Sequence, residues 1–135
     1  MNATERVLRL VLMVAVLIGG IVHVKLYDDG YRDIANYALG RSFLANAMAS
    51  GLVVGLLAIW RSPLAILAAL GVAFGTLGAF TKSRIGNGIF GFTEHGLKPS
   101  PEALIALIAE LIAVAAACYV LADVRRARNR ALRQP

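Results

Sequence analysis

The chain has 135 residues, of which 59% are hydrophobic and only 16% are charged, and its mean hydropathy is +0.70. Charged residues make up about a quarter of an ordinary soluble domain, so this composition excludes that class and predicts a membrane protein. The net charge of +6 does not indicate a nucleic-acid-binding surface, because five of the fourteen Lys and Arg residues lie in the C-terminal segment 125–135.

Four apolar segments follow one another along the chain, each close to the roughly 20 residues that a membrane-spanning helix needs. They cover residues 7–27, 40–60, 63–80 and 101–124, and a basic tail follows over 125–135. The sequence therefore predicts an all-α protein, with a single integral membrane domain built as a four-helix bundle.

The first segment follows Arg6 and Arg9 and resembles the hydrophobic part of a signal peptide. No small-residue cleavage site follows it, and the apolar run continues to Val24. We therefore expect a retained membrane anchor.

The second and third segments are separated only by Arg61 and Ser62. Such a short connection requires antiparallel neighbouring helices, and Pro63 suits the first turn of a helix, where its missing N–H is not needed. These two segments are predicted to form a helical hairpin.

The distribution of basic residues predicts the orientation. The two termini and the hairpin turn carry eight Lys and Arg residues, and the two longer connections carry six that are largely balanced by acidic residues. Lys and Arg accumulate on the cytoplasmic side of membrane proteins. We therefore expect both termini in the cytoplasm, with the chain crossing the membrane four times.

Glu110 stands well inside the last apolar segment. A carboxylate at that depth is costly and marks a candidate functional site. On a helical wheel its face carries small residues, whereas bulky aliphatic residues lie on the opposite face, which favours a position inside the bundle. The small residues are Ala103, Ala106, Ala113 and Ala117, and the bulky ones are Ile105, Ile108 and Ile112.

Polar residues on the first two segments are expected at a similar depth. Ser42, Asn46 and Ser50 recur at four-residue steps and form one stripe. His23 lies on the first segment, near its outer end. We expect these groups to converge with Glu110 on a polar pocket open to the outside, with Glu110, Asn46, Ser50, His23 and Ser42 as candidate ligand- or proton-binding residues.

Glycines mark the predicted helix contacts. Gly71, Gly75 and Gly78 share a face of the third segment, and the pairs Gly51/Gly55 and Gly71/Gly75 match the G-x-x-x-G pattern of close helix packing. We assign Gly71, Gly75 and Gly78 to helix packing and favour contacts within the chain over dimerisation.

Three interpretations of Glu110 stay open. Burial disfavours the charged form of a carboxylate, so Glu110 suits a proton carrier or a site where a cation displaces a proton. It also suits a neutral hydrogen-bonding partner of Ser50 or Asn46 that fixes helix packing. A contact with another chain is the third interpretation.

No catalytic residues and no metal site are predicted. His23, His95 and Glu94 are residue types that bind metal or haem, but they lack the close histidine spacing of such sites. The single cysteine, Cys118, excludes an intrachain disulfide and a CxxC motif. No cofactor is therefore predicted, and haem or quinone near His23 is kept as an alternative.

Residues 23–46, around the connection between the first and second segments, resemble a known family. The runs His23-Val-Lys-Leu-Tyr27, Tyr31-Arg32-Asp33-Ile34 and Gly40-Arg41-Ser-Phe-Leu-Ala-Asn46 resemble small four-helix membrane proteins of bacteria, including DoxX-like ones. The resemblance implies the four-helix architecture and a place in the inner membrane of a bacterial cell, and it assigns no catalytic residues. The chain is also similar in size to small multidrug resistance transporters, but those carry their essential glutamate in the first helix, which disfavours drug export.

The sequence thus predicts an accessory or binding subunit of a membrane assembly. Its expected partners are the lipid bilayer and a larger membrane complex or further copies of the chain, with no nucleic acid. The alternatives are a proton-coupled transporter of a small cationic or polar solute, and a redox protein that binds quinone or haem.

Overall fold

The computed structural model describes residues 3–34 and 37–132, and these ranges form an all-α protein. Helix α1 spans Ala3–Asp28, α2 spans Tyr37–Ile59, α3 spans Pro63–Lys82 and α4 spans Glu102–Ala131. A short 3-10 turn, Tyr31–Asp33, lies between α1 and α2. All four helices are long and apolar enough to cross a membrane, which confirms the predicted four-helix architecture.

The helix boundaries differ most from the prediction at the two ends of the chain. Helix α1 begins at Ala3 and not at residue 7, and α4 continues to Ala131 through most of the predicted basic tail. Arginine and alanine both favour helix, so the tail extends α4 and is not a separate segment. The last basic residue of that tail, Arg133, lies outside the described residues. Pro63 occupies the first turn of α3 as expected, with the Ser62 hydroxyl accepting a hydrogen bond from the Leu64 amide at 3.2 Å.

The helices are arranged in chain order around a square. Helix α1 packs against α2 and α4, and α3 packs against the same two helices. The α2–α3 pair makes the sparsest contact of the four neighbouring pairs, and α2 does not touch α4. One end of the bundle, here called the hairpin end, contains the α2–α3 turn 60–62. The other, called the loop end, contains the 3-10 turn and the connection 83–101.

The interior of the hairpin-end half is apolar and closely packed. Small alanines allow the helices to approach each other, and branched residues fill the space between them. Large apolar side chains such as Val14, Leu52 and Ile108 are exposed on the outside, where lipid can cover them. The main core residues are Leu12, Val16, Val53, Leu57, Ile66, Ala69, Ala73, Ala117 and Val120.

Arg9 closes the hairpin end. Only 5% of this residue is exposed, and its Nη2 donates to the carbonyl oxygens of Leu57 at 3.1 Å and Trp60 at 2.7 Å. The last carbonyls of a helix have no partner within the helix, and a cation there also complements the helix dipole. Arg9 therefore ties α1 to the end of α2. From the sequence, Arg9 was predicted only as a basic residue next to the first apolar segment.

Candidate functional site

Glu110 lies in the interior of the bundle, with 1% of its surface exposed. The residues on its own face of α4 are buried alanines, and those on the opposite face are exposed isoleucines, as the helical spacing predicts. Ala103, Ala106, Ala113 and Ala117 are the buried residues, and Ile105, Ile108 and Ile112 are the exposed ones. The face of α4 that carries the carboxylate is thus the one that packs against α1 and α3.

The carboxylate of Glu110 rests directly against the backbone of α1. A Cβ atom placed on Gly19 would lie 2.6 Å from Oε1 of Glu110, so a larger residue there requires the carboxylate to move. Neither carboxylate oxygen has a hydrogen-bond partner among the described residues. A buried polar group without a partner is costly, and such a group often marks a bound proton, water or ion.

Thr76 on α3 connects Glu110 to the second helix. Its hydroxyl lies beside the Glu110 carboxylate, but the hydroxyl proton is directed to the Val72 carbonyl, 3.0 Å away. The same oxygen accepts a hydrogen bond from Nδ2 of Asn46 at 2.6 Å. Thr76 therefore lies between the Asn46 amide and the Glu110 carboxylate, and its own proton is used by the Val72 carbonyl.

Ser50 and Ser42 lie on the same helix as Asn46 but take different partners. Ser50 donates to Oδ1 of Asn46 at 3.3 Å and packs against Gly20, where an added Cβ would lie 2.8 Å from the serine Cβ. Ser42 donates to the Leu39 carbonyl of its own helix at 2.6 Å. The predicted stripe is thus divided, and only its deeper two residues belong to the polar network with Thr76.

His23 is joined to Gly19 on its own helix. Its Nδ1 lies 2.7 Å from the Gly19 carbonyl oxygen, and because a carbonyl only accepts, Nδ1 carries the proton. The imidazole ring also packs against Phe43, with 5.3 Å between ring centroids. Gly19 thus contacts Glu110 on one side and holds His23 on the other. The second histidine, His95, is exposed in the connection 83–101.

A cavity of about 430 Å³ opens at the loop end, between α2, α3 and the connection 83–101. His23, Ser42 and Asn46 line it together with Thr76, whereas Glu110, Ser50 and His95 do not. The sequence predicted a pocket around Glu110. The cavity in the structure does not include that residue. Its deepest polar groups are Asn46 and Thr76, and Glu110 lies behind Thr76.

Aromatic residues form the wall of this cavity near its mouth. The Tyr31 ring stacks at 4.5 Å on Phe43 and meets Phe92 edge to face at 5.8 Å. The Tyr31 hydroxyl donates to the Glu94 carboxylate. Burial, together with this acceptor, raises the pKa of Tyr31 well above the ordinary value for a phenol. The tyrosine accordingly keeps its proton and fixes the connection 83–101 against α2.

Arg84 holds the connection in its folded form. Its guanidinium donates to the carbonyls of Gly96 at 2.6 Å and Lys98 at 2.8 Å, and it lies 3.4 Å from the centroid of the Phe80 ring. Burial lowers the pKa of Arg84, and the nearby charge of Glu94 acts in the opposite direction. Because these contacts use its donors, Arg84 stabilises the folded connection at the entrance of the cavity. Its guanidinium is not available to bind a ligand.

The glycines of α3 do not form the predicted contacts within the chain. A Cβ placed on Gly71, Gly75 or Gly78 would meet no atom within 4 Å, and the same holds for Gly51 and Gly55 on α2. Gly71 and Gly75 instead leave space on the wall of the cavity. The close helix approaches occur at Gly19 and Gly20 on α1, a pair that the G-x-x-x-G pattern does not detect.

Two buried polar residues, Thr76 and Arg9, were not among the predicted site residues. Thr76 could have been found, because it follows Ala69 and Ala73 at helical spacing on the face of α3 that is buried. Arg9 gave no such signal, since its partners are backbone carbonyls. Among the described residues, no group of three or more His, Cys, Asp or Glu side chains is placed to hold a metal ion.

Comparisons with known proteins add no functional information to this geometry. The chain matches no protein-family model, no curated protein and no solved structure.

Proposed function

We propose that this chain is a small membrane protein that binds an amphipathic molecule in the loop-end cavity and acts as a binding subunit of a membrane assembly. The observation that carries the proposal is the cavity itself. Its volume of about 430 Å³ falls in the range of small-molecule sites, which are mostly apolar with a few well-placed polar groups.

The lining of the cavity suggests the general character of the ligand. Phe43, Phe80 and Phe92 offer apolar and aromatic surface, and Asn46 and Thr76 offer polar atoms at the deepest part. The contact between α2 and α3 is sparse, which favours entry of an apolar molecule between these two helices. A molecule with an apolar body and one compact polar group fits this distribution.

The packed hairpin-end half favours binding over passage through the bundle. Leu12, Val53, Ile66 and Val120 fill that half, and Arg9 closes its end. The alternative function, a proton-coupled transporter, is favoured by one observation, the unpartnered carboxylate of Glu110. It requires a second conformation in which this core opens. The redox alternative relies on His23 alone at the cavity.

We also propose that the chain lies in a bacterial inner membrane with the loop end outside and both termini in the cytoplasm. The arginines at the end of α4 support this orientation, since basic residues remain on the cytoplasmic side. Gly55 on α2 and Gly78 on α3 are exposed and do not line the cavity, and small residues of this kind let a partner helix pack closely. A partner of the proposed assembly is expected to use the surfaces around these glycines.

Cysteine labelling tests the orientation. In a Cys118→Ser background, His95→Cys at the loop end and Arg61→Cys at the hairpin end are treated in intact cells with a maleimide that does not cross the membrane. We expect labelling of His95→Cys alone until the cells are broken. Labelling of Arg61→Cys alone in intact cells would reverse the proposed orientation.

Photolabelling tests the binding function. The protein in phosphatidylcholine nanodiscs is irradiated with a diazirine-bearing decanol, and labelled residues are mapped by mass spectrometry. We expect labelling of the cavity residues Ala45, Ala49 and Val72. Gly75→Leu fills the cavity and should abolish this labelling. Gly51→Leu adds the same side chain at a glycine that is equally open but outside the cavity, and should leave it intact. Equal labelling in all three proteins would contradict the proposal.

A further inference from the structure

Asn46 and Thr76 connect the cavity to the buried carboxylate of Glu110. Asn46 and Thr76 both line the cavity, and the Asn46 amide donates to the Thr76 oxygen at 2.6 Å. Thr76 also lies beside Glu110, which does not line the cavity. A molecule that enters the cavity can therefore contact Asn46 and Thr76 without touching Glu110.

The hydroxyl of Thr76 has two possible acceptors for its proton. In the structure the proton is directed to the Val72 carbonyl, while the amide of Asn46 occupies the hydroxyl oxygen. Threonine in a helix divides between two side-chain rotamers, because its hydroxyl can bond a carbonyl one turn earlier. Loss of the Asn46 hydrogen bond frees the hydroxyl to turn its proton toward Glu110. That hydrogen bond would stabilise the charged carboxylate.

We propose that the Asn46–Thr76 hydrogen bond links occupation of the cavity by an organic cation to release of a proton from Glu110. The inference rests on the proposed binding function and specifies its ligand. The cationic group attracts Oδ1 of Asn46 and draws the amide away from Thr76, whose hydroxyl then donates to the carboxylate. The proton of Glu110 leaves toward solvent at the loop end, so one positive charge enters the bundle for each one that leaves.

Two features of the site favour a cation over a neutral or anionic ligand. The aromatic rings of Tyr31, Phe43 and Phe92 line the cavity, and the faces of such rings attract organic cations. A carboxylate formed inside a membrane protein also needs a nearby positive charge. Arg84 lies at the mouth but has Glu94 as a charged neighbour, and its donors are used by backbone carbonyls.

The charged and titratable surroundings of Glu110 are sparse. From α1, His23 is held by the Gly19 carbonyl, Arg9 lies at the hairpin end and Lys25 pairs with Glu102 at 3.0 Å. Helix α3 carries one charged residue, Lys82, in its last turn at the loop end. Helix α2 does not touch α4. His23 lines the cavity, and any proton that this histidine exchanges has to be separated from that of Glu110.

The test uses decyltrimethylammonium, which has no proton of its own to release, with decanol as the neutral control. Protein in nanodiscs is placed in weak buffer with a pH indicator, and the infrared C=O band of a protonated carboxyl is followed in parallel. We expect about one proton released per bound cation, and an affinity that rises up to tenfold per pH unit. The carboxyl band should weaken with the cation and not with decanol.

Single-residue variants show which side chain releases the proton. Glu110→Gln should bind the cation with no proton release and no pH dependence, and His23→Gln should still release. Thr76→Val keeps the shape of the side chain and should reduce the release. Thr81→Val makes the same change on α3 at a residue outside the cavity, whose hydroxyl donates to the Leu77 carbonyl, and should leave the release intact. Cation binding without proton release would overturn this inference and leave the binding function standing. Failure of the cation and of decanol to compete with the photolabel would overturn the binding function itself. Unchanged release in Thr76→Val would exclude the proposed link.

Discussion

The carboxylate of Glu110 on α4 and the backbone of Gly19 on α1 occupy adjoining space, so that a Cβ on Gly19 would lie 2.6 Å from Oε1. This contact is where the two most closely packed helices of the bundle meet around a polar group. The packing of α1 against α4 therefore depends on the position of the Glu110 carboxylate.

Gly19→Ala should destabilise the bundle. The new methyl group overlaps the Glu110 carboxylate in a packed interior, where overpacking costs about 1–3 kcal/mol. The midpoint of thermal unfolding in detergent should fall accordingly. Gly51→Ala is the matched control, because its methyl group meets no atom and alanine favours helix.

The double variant Gly19→Ala/Glu110→Ala shows whether the carboxylate is the cause. Removing the Glu110 side chain opens the space that the new methyl group needs. Gly19→Ala should then cost less in the Glu110→Ala background than in the wild type. An equal cost in both backgrounds would mean that the contact is not what makes glycine necessary at this position.

Arg9→Met should also lower stability, although the substitution replaces a charge with an apolar residue near a membrane. It leaves the carbonyls of Leu57 and Trp60 without their donor, and hydrogen bonds to charged groups are worth about 1.5–3 kcal/mol. Arg6→Ala removes an exposed arginine from the same helix and serves as the control. If both variants unfold at the wild-type temperature, Arg9 does not hold the hairpin end.

The ionisation of Tyr31 gives a test at the loop end. Replacing Tyr27, Tyr37 and Tyr119 by Phe leaves one tyrosine, whose phenolate can be followed by ultraviolet absorbance. Since burial and the Glu94 acceptor raise its pKa, ionisation should begin well above the ordinary value of about 10. Glu94→Gln should bring it part of the way back. Ionisation near the ordinary value in the unmodified site would show that the ring is not buried there.

The raised pKa of Tyr31 also predicts how the stability of the protein changes with pH. The folded state holds the Tyr31 proton more tightly than the unfolded chain does, so this contribution is complete below a pH of about 10. It is lost as the pH rises through the folded pKa. Denaturant unfolding of the single-tyrosine protein should therefore show stability declining above pH 10. The Tyr31→Phe form of that protein should decline less over the same range.

Gly88→Ala should disrupt the connection 83–101. Gly88 has a φ of +70° and a Cβ there would lie 1.9 Å from the Phe92 carbonyl oxygen. Gly86 also has positive φ, +57°, but an added Cβ would meet nothing, so Gly86→Ala should cost only the backbone strain of about 1–2 kcal/mol. Trypsin cleavage after Arg84 should be faster in Gly88→Ala than in Gly86→Ala. Equal cleavage rates would argue against the turn as described.

The sequence was sufficient to predict the helices and the inward face of α4. Apolar length identifies a spanning helix, and the helical period separates the alanines around Glu110 from the outward isoleucines. The burial of Glu110 and its alanine neighbours agrees with that reading. The pairing of Asn46 with Thr76 was not predicted, because the relative rotation of α2 and α3 depends on packing between the helices.

The glycines show why packing contacts are harder to predict than helices. Gly71 and Gly75 match a contact motif yet meet no helix of the chain, while Gly19 and Gly20 lie directly against residues of α4 and α2. The pattern records which residues are small but not which face is covered. The position of the cavity likewise depends on the fold of the connection 83–101, whose form comes from Arg84 hydrogen bonds to distant carbonyls.

The central claim is that the loop-end cavity reaches past Asn46 and Thr76 to the level of Ala49 and ends above Val53. The most direct measurement is the reaction of a small water-soluble maleimide with cysteines at two neighbouring depths of α2, in a Cys118→Ser background. Ala49 lines the cavity, and Val53 lies one turn deeper in the packed core. We predict rapid modification of Ala49→Cys, slowed by Gly75→Leu but not by Gly51→Leu, and no modification of Val53→Cys in the folded protein. Equal protection of both cysteines, or equal reaction of both, would contradict this account.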